Sequence, residues 1–150
     1  MMKKRIQNAF IVIGLVMVML IGGFLIYASN YYKAEEEALA LLEEGDRIRV
    51  QDELVIVTPP DPGDTALIFY PGAKVEHFAY LPLLDKIAQS SEITCILVDM
   101  PFNMAIFDSN VAHEIMEDFP DIEHWYIGGH SMGGAMASSY ASKNQDKVRD

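Results

Sequence analysis

One serine in this chain has neighbours that could turn a hydroxyl into a nucleophile. Ser131 lies in Gly129-His130-Ser131-Met132-Gly133, a GxSxG pattern. Attack by a serine on an acyl carbon needs an exposed hydroxyl, a base for its proton, and N–H donors for the oxyanion that forms. The pattern addresses the first and part of the third. It follows the apolar run Trp125-Tyr126-Ile127 and opens the small, helix-compatible run Gly134-Ala135-Met136-Ala137-Ser138-Ser139-Tyr140-Ala141. Strand, sharp turn and helix form the setting in which such a serine is thrust out on strained backbone. Gly129 and Gly133 fall where side chains would strike the packed strand and helix. The helix's first N–H groups and its dipole favour negative charge at the turn, so the Met132 N–H is a donor for a developing oxyanion.

The base is harder to find. The four histidines, His77, His113, His124 and His130, all precede Ser131. His124 enters the strand about five residues below the turn, roughly 16 Å from a site at its carboxyl end. His130 adjoins the serine, and the turn that exposes Ser131 is expected to aim it elsewhere, into packing. His113 falls within a helical stretch, and His77 begins the helix after the Pro71-Gly72 turn. Asp99 ends an apolar run, at the edge of the sheet where sites form. Asp146 and Asp150 precede the place where a next strand would begin. None of these is assigned as base or acid. Cys95, the single cysteine, lies in the apolar run 93–98 and reads as a buried, inert thiol. No His/Cys cluster and no phosphate loop is present, so no cofactor and no metal are expected.

The elements that must position Ser131 follow from periodicity. Two short β-branched runs, 47–50 and 54–58, are separated by Gln51-Asp52-Glu53 and read as a hairpin. Pro59-Pro60-Asp61-Pro62-Gly63-Asp64 then breaks regular structure. Beyond it apolar runs at 66–70, 93–98 and 125–127 alternate with helical patterns at 76–89, 110–119 and 131–143, with a kink or later start at Pro82. Strands alternating with helices predict an α/β fold, a mostly parallel sheet with helices on both faces.

Three stretches together resemble the α/β-hydrolase family, in its dienelactone-hydrolase-like branch: Ile68-Phe69-Tyr70-Pro71-Gly72-Ala73-Lys74-Val75, Asp99-Met100-Pro101-Phe102-Asn103 and Ile127-Gly128-Gly129-His130-Ser131-Met132-Gly133-Gly134. The resemblance covers residues 47–150 and matches the family's third, fourth and fifth strands with their following loops. It implies a serine hydrolase acting on ester or related acyl bonds, with Ser131 as nucleophile. It also implies a second oxyanion donor from the turn after the third strand, carried here onto the Ala73 N–H, with Gly72 permitting close approach. In that family acid and histidine follow the serine in order. Seventeen residues follow Gly133 here, and none is histidine. The 47–150 domain is therefore expected to be incomplete at its C-terminus, the N-terminal half of the fold, with acid and base after Asp150. A non-catalytic binding module on the same scaffold, or an acyltransferase using the same residues, are the alternatives.

The N-terminus carries a different signal. Residues 9–28 contain no charge and are long enough to cross about 30 Å of hydrocarbon. Lys3, Lys4 and Arg5 precede them and Glu35, Glu36 and Glu37 follow, which predicts a single-pass helix with residues 1–8 cytoplasmic and the C-terminal domain extracytoplasmic. The apolar stretch is longer than that of a signal peptide, and its exit, Tyr27-Ala28-Ser29-Asn30, has no Ala-x-Ala pattern. Tyr27, Tyr31 and Tyr32 fit an interfacial belt. Residues 29–46 read as a short amphipathic stalk helix over 33–44, ended by Gly45. Of 11 basic and 22 acidic residues, three basic ones lie before the apolar segment, leaving 8 against 22, a net −14, for the remainder. That balance argues against a nucleic-acid partner. The expected partners are a small-molecule or lipid-like acyl substrate and, through residues 9–28, the membrane.

Overall fold

The computed structural model describes residues 2–43 and 46–149 and divides the chain into two compact units, Met1–Asn30 and Tyr31–Asp150. Gly45 and Asp150 lie outside the described residues.

The first unit is one helix, α1 (Met2–Ser29). Its stretch Ile6–Ser29 has a mean hydropathy of 2.9 over its most apolar window, long and apolar enough to cross a bilayer. The expected span 9–28 falls wholly inside it. Helix also extends back through most of the expected basic tail, because nothing between Met2 and Ala9 breaks it.

In the second unit, the helix expected over 33–44 is shorter. α2 covers Glu36–Ala40 and continues as a single 3₁₀ turn, Leu41–Glu43. Residues 31–35 are not helical, and Tyr32 among them pairs in parallel with Val75. Ala38 is buried, and Leu41 and Leu42 pack on the core. This segment is therefore part of the domain's packed surface.

The domain is built on five strands: β1 (Ile48–Gln51), β2 (Leu54–Val57), β3 (Thr65–Tyr70), β4 (Thr94–Val98) and β5 (His124–Gly129), in spatial order β1-β2-β4-β3-β5. β1 and β2 form the expected hairpin, Gln51 opposite Leu54, with Asp52 at φ 51° as the first residue of a two-residue turn. β2 runs antiparallel to β4, while β3 runs parallel to both β4 and β5. α3 (Leu81–Gln89) connects β3 to β4, α4 (Ala112–Asp118) connects β4 to β5, and α5 (Met132–Lys143) follows β5. A 3₁₀ turn, His77–Tyr80, precedes α3, whose start at Leu81 places Pro82 in the first helical turn, where no intrahelical N–H is needed.

From β3 the chain crosses to β4 on one side and then back to β5 on the other. Right-handed crossovers in opposite directions place their helices on opposite faces. The two cores record this. Ala66, Ile68, Tyr70, Ile96 and Val98 pack with Ala112 and Ile115 of α4 and Ala137 and Tyr140 of α5. Phe69, Cys95 and Leu97, the alternate residues of the same strands, pack with Leu81, Leu84 and Ala88 of α3. All five residues of β4 are buried, so it reads as a continuous apolar run rather than an alternation.

The sheet order reverses at β3. In open α/β sheets such a switch leaves a crevice at the carboxyl ends of the diverging strands, here β4, β3 and β5.

Candidate active site

Ser131 is the second of the two residues between β5 and α5. Its backbone is at φ 53°, ψ −119°, outside the regions open to ordinary L residues, and its side chain is exposed. Such a conformation costs about 1–3 kcal/mol and survives only where surrounding structure enforces it. The enforcement comes from β3. Tyr70 pairs with Gly129, so the turns after β3 and β5 leave the sheet at one level. The His130 N–H donates to the Tyr70 carbonyl (3.1 Å), and the Ala135 N–H donates to the Ser131 carbonyl (3.0 Å). A Cβ on Gly129 would stand 2.5 Å from the Tyr70 carbonyl oxygen, and one on Gly133 would stand 2.2 Å from that atom and 2.3 Å from the Pro71 oxygen. The two glycines therefore let the first turn of α5 press against the backbone of the neighbouring loop.

That loop is tied on three sides. Gly72 N–H donates to the Tyr80 hydroxyl (3.0 Å) and Lys74 N–H to the Asn103 carbonyl (2.8 Å). Tyr32 N–H donates to the Lys74 carbonyl and Glu76 N–H to the Tyr32 carbonyl, both at 2.8 Å, while Ala34 N–H donates to a Glu76 carboxylate oxygen (2.7 Å). Val75 N–H turns back to the Gly72 carbonyl (3.3 Å). Pro71 has no N–H to give. Among the described residues, the Ala73 N–H is thus the one donor between Gly72 and Glu76 that meets no acceptor, and the Met132 N–H at the start of α5 also meets none.

The Ser131 hydroxyl makes no hydrogen bond among the described residues. The histidines are distributed as follows. His124 begins β5 at the far end of the sheet, with its Nδ1 2.7 Å from an Arg149 guanidinium nitrogen. His113, on α4, has its Nδ1 2.8 Å from Lys147 Nζ. His77 is buried, and its Nδ1 lies 3.2 Å from Asp99 Oδ1, an imidazole–carboxylate pair at the carboxyl end of β4. β3 separates that pair from β5 in the sheet, and among the described residues neither member is hydrogen-bonded to Ser131. His130 departs from expectation. It is exposed rather than packed inward, with its Nδ1 2.9 Å from the Tyr80 hydroxyl, because the bend that thrusts out Ser131 also lays its predecessor across the Gly72 loop.

A cavity of about 490 Å³ opens beside this crevice, with Glu53, Asp99, Asp108 and Glu114 among its lining and Phe102 at its rim. Four carboxylates there disfavour an anionic group. Phe102 (φ 57°) and Asn103 (φ 53°) are consecutive left-handed residues, a bend that turns the Asn103 carbonyl toward Lys74. Asp64, Glu123 and His124 bring ligand atoms within 4.8 Å of one another, but they stand at the starts of β3 and β5, opposite the crevice. Cys95 is buried, and burial pushes its thiol up to about 12, which keeps it out of any chemistry.

Tyr80 and Asn103 were not legible as site residues. Tyr80 is one aromatic among seven tyrosines in the chain, at helical spacing from its neighbours, and only the folded loop brings its hydroxyl to Gly72.

A family model described as "Alpha/beta hydrolase family" matches residues 66–150. The chain belongs to the alpha/beta hydrolase family. The match is to the family as a whole and does not single out its dienelactone-hydrolase-like branch. Solved structures similar to this chain include an esterase/lipase from an uncultured bacterium (18% identity, TM-score 0.53), covering 81% of this chain and 44% of that one. EstE5, in a crystal soaked with p-nitrophenyl butyrate, is 19% identical with a TM-score of 0.53, covering 79% and 43%. A hormone-sensitive lipase from a metagenome library is 17% identical with a TM-score of 0.53, covering 83% and 50%. These likenesses are of fold, and the chain spans half or less of the length of each. No curated protein matches the sequence.

Proposed function

We propose that this chain carries the nucleophile and oxyanion hole of a membrane-anchored serine hydrolase acting on ester or related acyl bonds. Ser131 attacks the acyl carbon and forms the acyl-enzyme, while the N–H groups of Met132 and Ala73 receive the oxyanion. The supporting observation is the backbone of Ser131 at φ 53°, ψ −119°, held on a turn where neither flanking glycine has room for a Cβ. A bend serving only to reverse the chain has no need of a hydroxyl in that conformation. The lone unengaged N–H of the Gly72–Glu76 loop, Ala73, supports the donor assignment. The esterase and lipase neighbours favour an ester among acyl substrates.

Residues 9–28 serve as the anchor in this reading, with residues 1–8 cytoplasmic and the hydrolase domain, including the segment over 31–43 packed on it, extracytoplasmic. The basic residues before the span and the acidic ones after it support that orientation. No described residue is assigned as base or acid.

Labelling with a fluorophosphonate tests the proposal, using the protein as its gene encodes it. The wild type is expected to be labelled on one serine and Ser131→Ala not at all. Undiminished labelling of Ser131→Ala would refute the nucleophile assignment. Protease protection in sealed vesicles tests the orientation: a domain cleaved from the cytoplasmic side would overturn it.

A further inference from the structure

The loop that carries the Ala73 N–H touches the serine turn in two ways. One is backbone on backbone, at Gly129 and Gly133. The other is a polar chain, and the structure assigns it a purpose of its own.

We propose that Tyr80 and His130 are positioning residues that lock the oxyanion loop onto the nucleophile turn; this rests on the serine-hydrolase reading given above. The Tyr80 hydroxyl lies 3.0 Å from Gly72 N and 2.9 Å from His130 Nδ1. A hydroxyl has one proton to donate. It accepts from the Gly72 N–H and keeps its own proton, which it can donate to Nδ1 in the tautomer that carries the imidazole proton on Nε2. The result is a hydrogen-bonded run, Gly72 N–H to Tyr80 hydroxyl to His130 Nδ1, joining the residue before Ala73 to the residue before Ser131.

Three features make this run more than a surface contact. Gly72 is buried, and a Cβ there would stand 2.6 Å from His130 Nδ1 and 2.9 Å from the Tyr80 hydroxyl, so the two side chains fill the space over the glycine. The Tyr80 ring is held between Phe69, at 5.1 Å between centroids, and His130, at 5.9 Å, which fixes where its hydroxyl points. Finally, taking up the Gly72 N–H leaves Ala73 as the loop's donor and removes a competing one from the site. Neither side chain needs to meet the substrate. Their effect is on the angle and distance at which Ala73 N–H faces the oxyanion, and an error of about 1 Å there costs on the order of a hundredfold in rate.

The test is the kinetics of fluorophosphonate labelling, separated into the limiting rate and the half-saturating concentration, on the full chain. Tyr80→Phe keeps both ring contacts and removes only the hydroxyl. It is expected to lower the limiting rate about ten- to a hundredfold with the half-saturating concentration within about twofold of wild type. His130→Ala should do the same, and the double variant should be no slower than the slower single one, because both break one chain. His130→Asn, whose side-chain oxygen can accept near the position of Nδ1, should recover most of the rate. A Tyr80→Phe protein that labels at the wild-type rate would overturn the proposal, as would strictly multiplicative losses in the double variant or a His130→Asn protein as slow as His130→Ala. The Ser131→Ala control separates the two readings. Loss of labelling in Ser131→Ala with an unaffected Tyr80→Phe sinks the positioning role alone, whereas labelling that survives Ser131→Ala sinks the nucleophile itself.

Discussion

Substituting Gly133 by alanine adds one methyl group at the point where the two halves of the candidate site meet. The new Cβ would lie 2.2 Å from the Tyr70 carbonyl oxygen and 2.3 Å from that of Pro71. Both are backbone atoms, with no rotamer through which to retreat. Ordinary contact begins near 3.4 Å, so relief requires a displacement of about 1.2 Å between α5 and the loop after β3. The displacement separates the loop that carries Ala73 from the helix that begins after Ser131. Rates fall on the order of a hundredfold for an error of that size, and the strain costs about 1–3 kcal/mol of stability. Gly128→Ala is the matched control. Its Cβ would meet only Leu67 Cδ1 of the neighbouring strand β3, at 3.7 Å, an ordinary contact. Labelling by a fluorophosphonate reports the rate, and thermal unfolding the stability. Gly133→Ala should be slow and of lowered Tm, with Gly128→Ala close to wild type in both. Indistinguishable behaviour of the two alanine variants would refute the argument that close approach at Gly133 sets the site.

Two buried phenols should respond in opposite directions. Tyr70 accepts from the Ala112 N–H (3.1 Å) and donates to the Ser109 carbonyl (3.2 Å), so Tyr70→Phe strands both groups and should cost about 1–3 kcal/mol in urea unfolding. The Tyr140 hydroxyl is buried with no partner among the described residues, so Tyr140→Phe should leave stability unchanged or raise it by up to about 1 kcal/mol. Burial raises the Cys95 thiol to about 12, which leaves roughly one thiolate in ten thousand at pH 8. A disulfide reagent at that pH should therefore find no reactive thiol in the native protein and one after denaturation.

The parts of this molecule legible in its sequence are those governed by local pattern. Strand and helix order followed from the alternation of apolar runs with helical spacing, and the later start of α3 from Pro82, because a proline's missing N–H is tolerated in a first turn. The serine turn was legible because glycine–x–serine–x–glycine names its own steric reason, and the distances at Gly129 and Gly133 restate that reason in ångströms. The segment 31–43 was harder. Its Ala, Leu and Glu content favours helix, yet its first five residues are not helical and Tyr32 among them pairs with Val75, a contact 43 residues away that no local propensity anticipates.

His130 shows where pattern gives out. Reasoned from the turn alone, it had to point away from the serine and therefore into packing. The first step was sound and the second was not, because pointing away from Ser131 across a parallel pair of strands means pointing over the neighbouring loop. What stands there is Tyr80, set by a 3₁₀ turn that the sequence does not mark and reached only when β3 and β5 are aligned with Tyr70 opposite Gly129. The same alignment brings Gly133 against Tyr70 and Pro71 and leaves the Ala73 N–H unengaged. Register between two strands distant in sequence therefore decides three features at once: the strain at Ser131, the contact that holds the loop, and the placement of the unengaged donor. A one-residue slip of β5 against β3 would remove all three together.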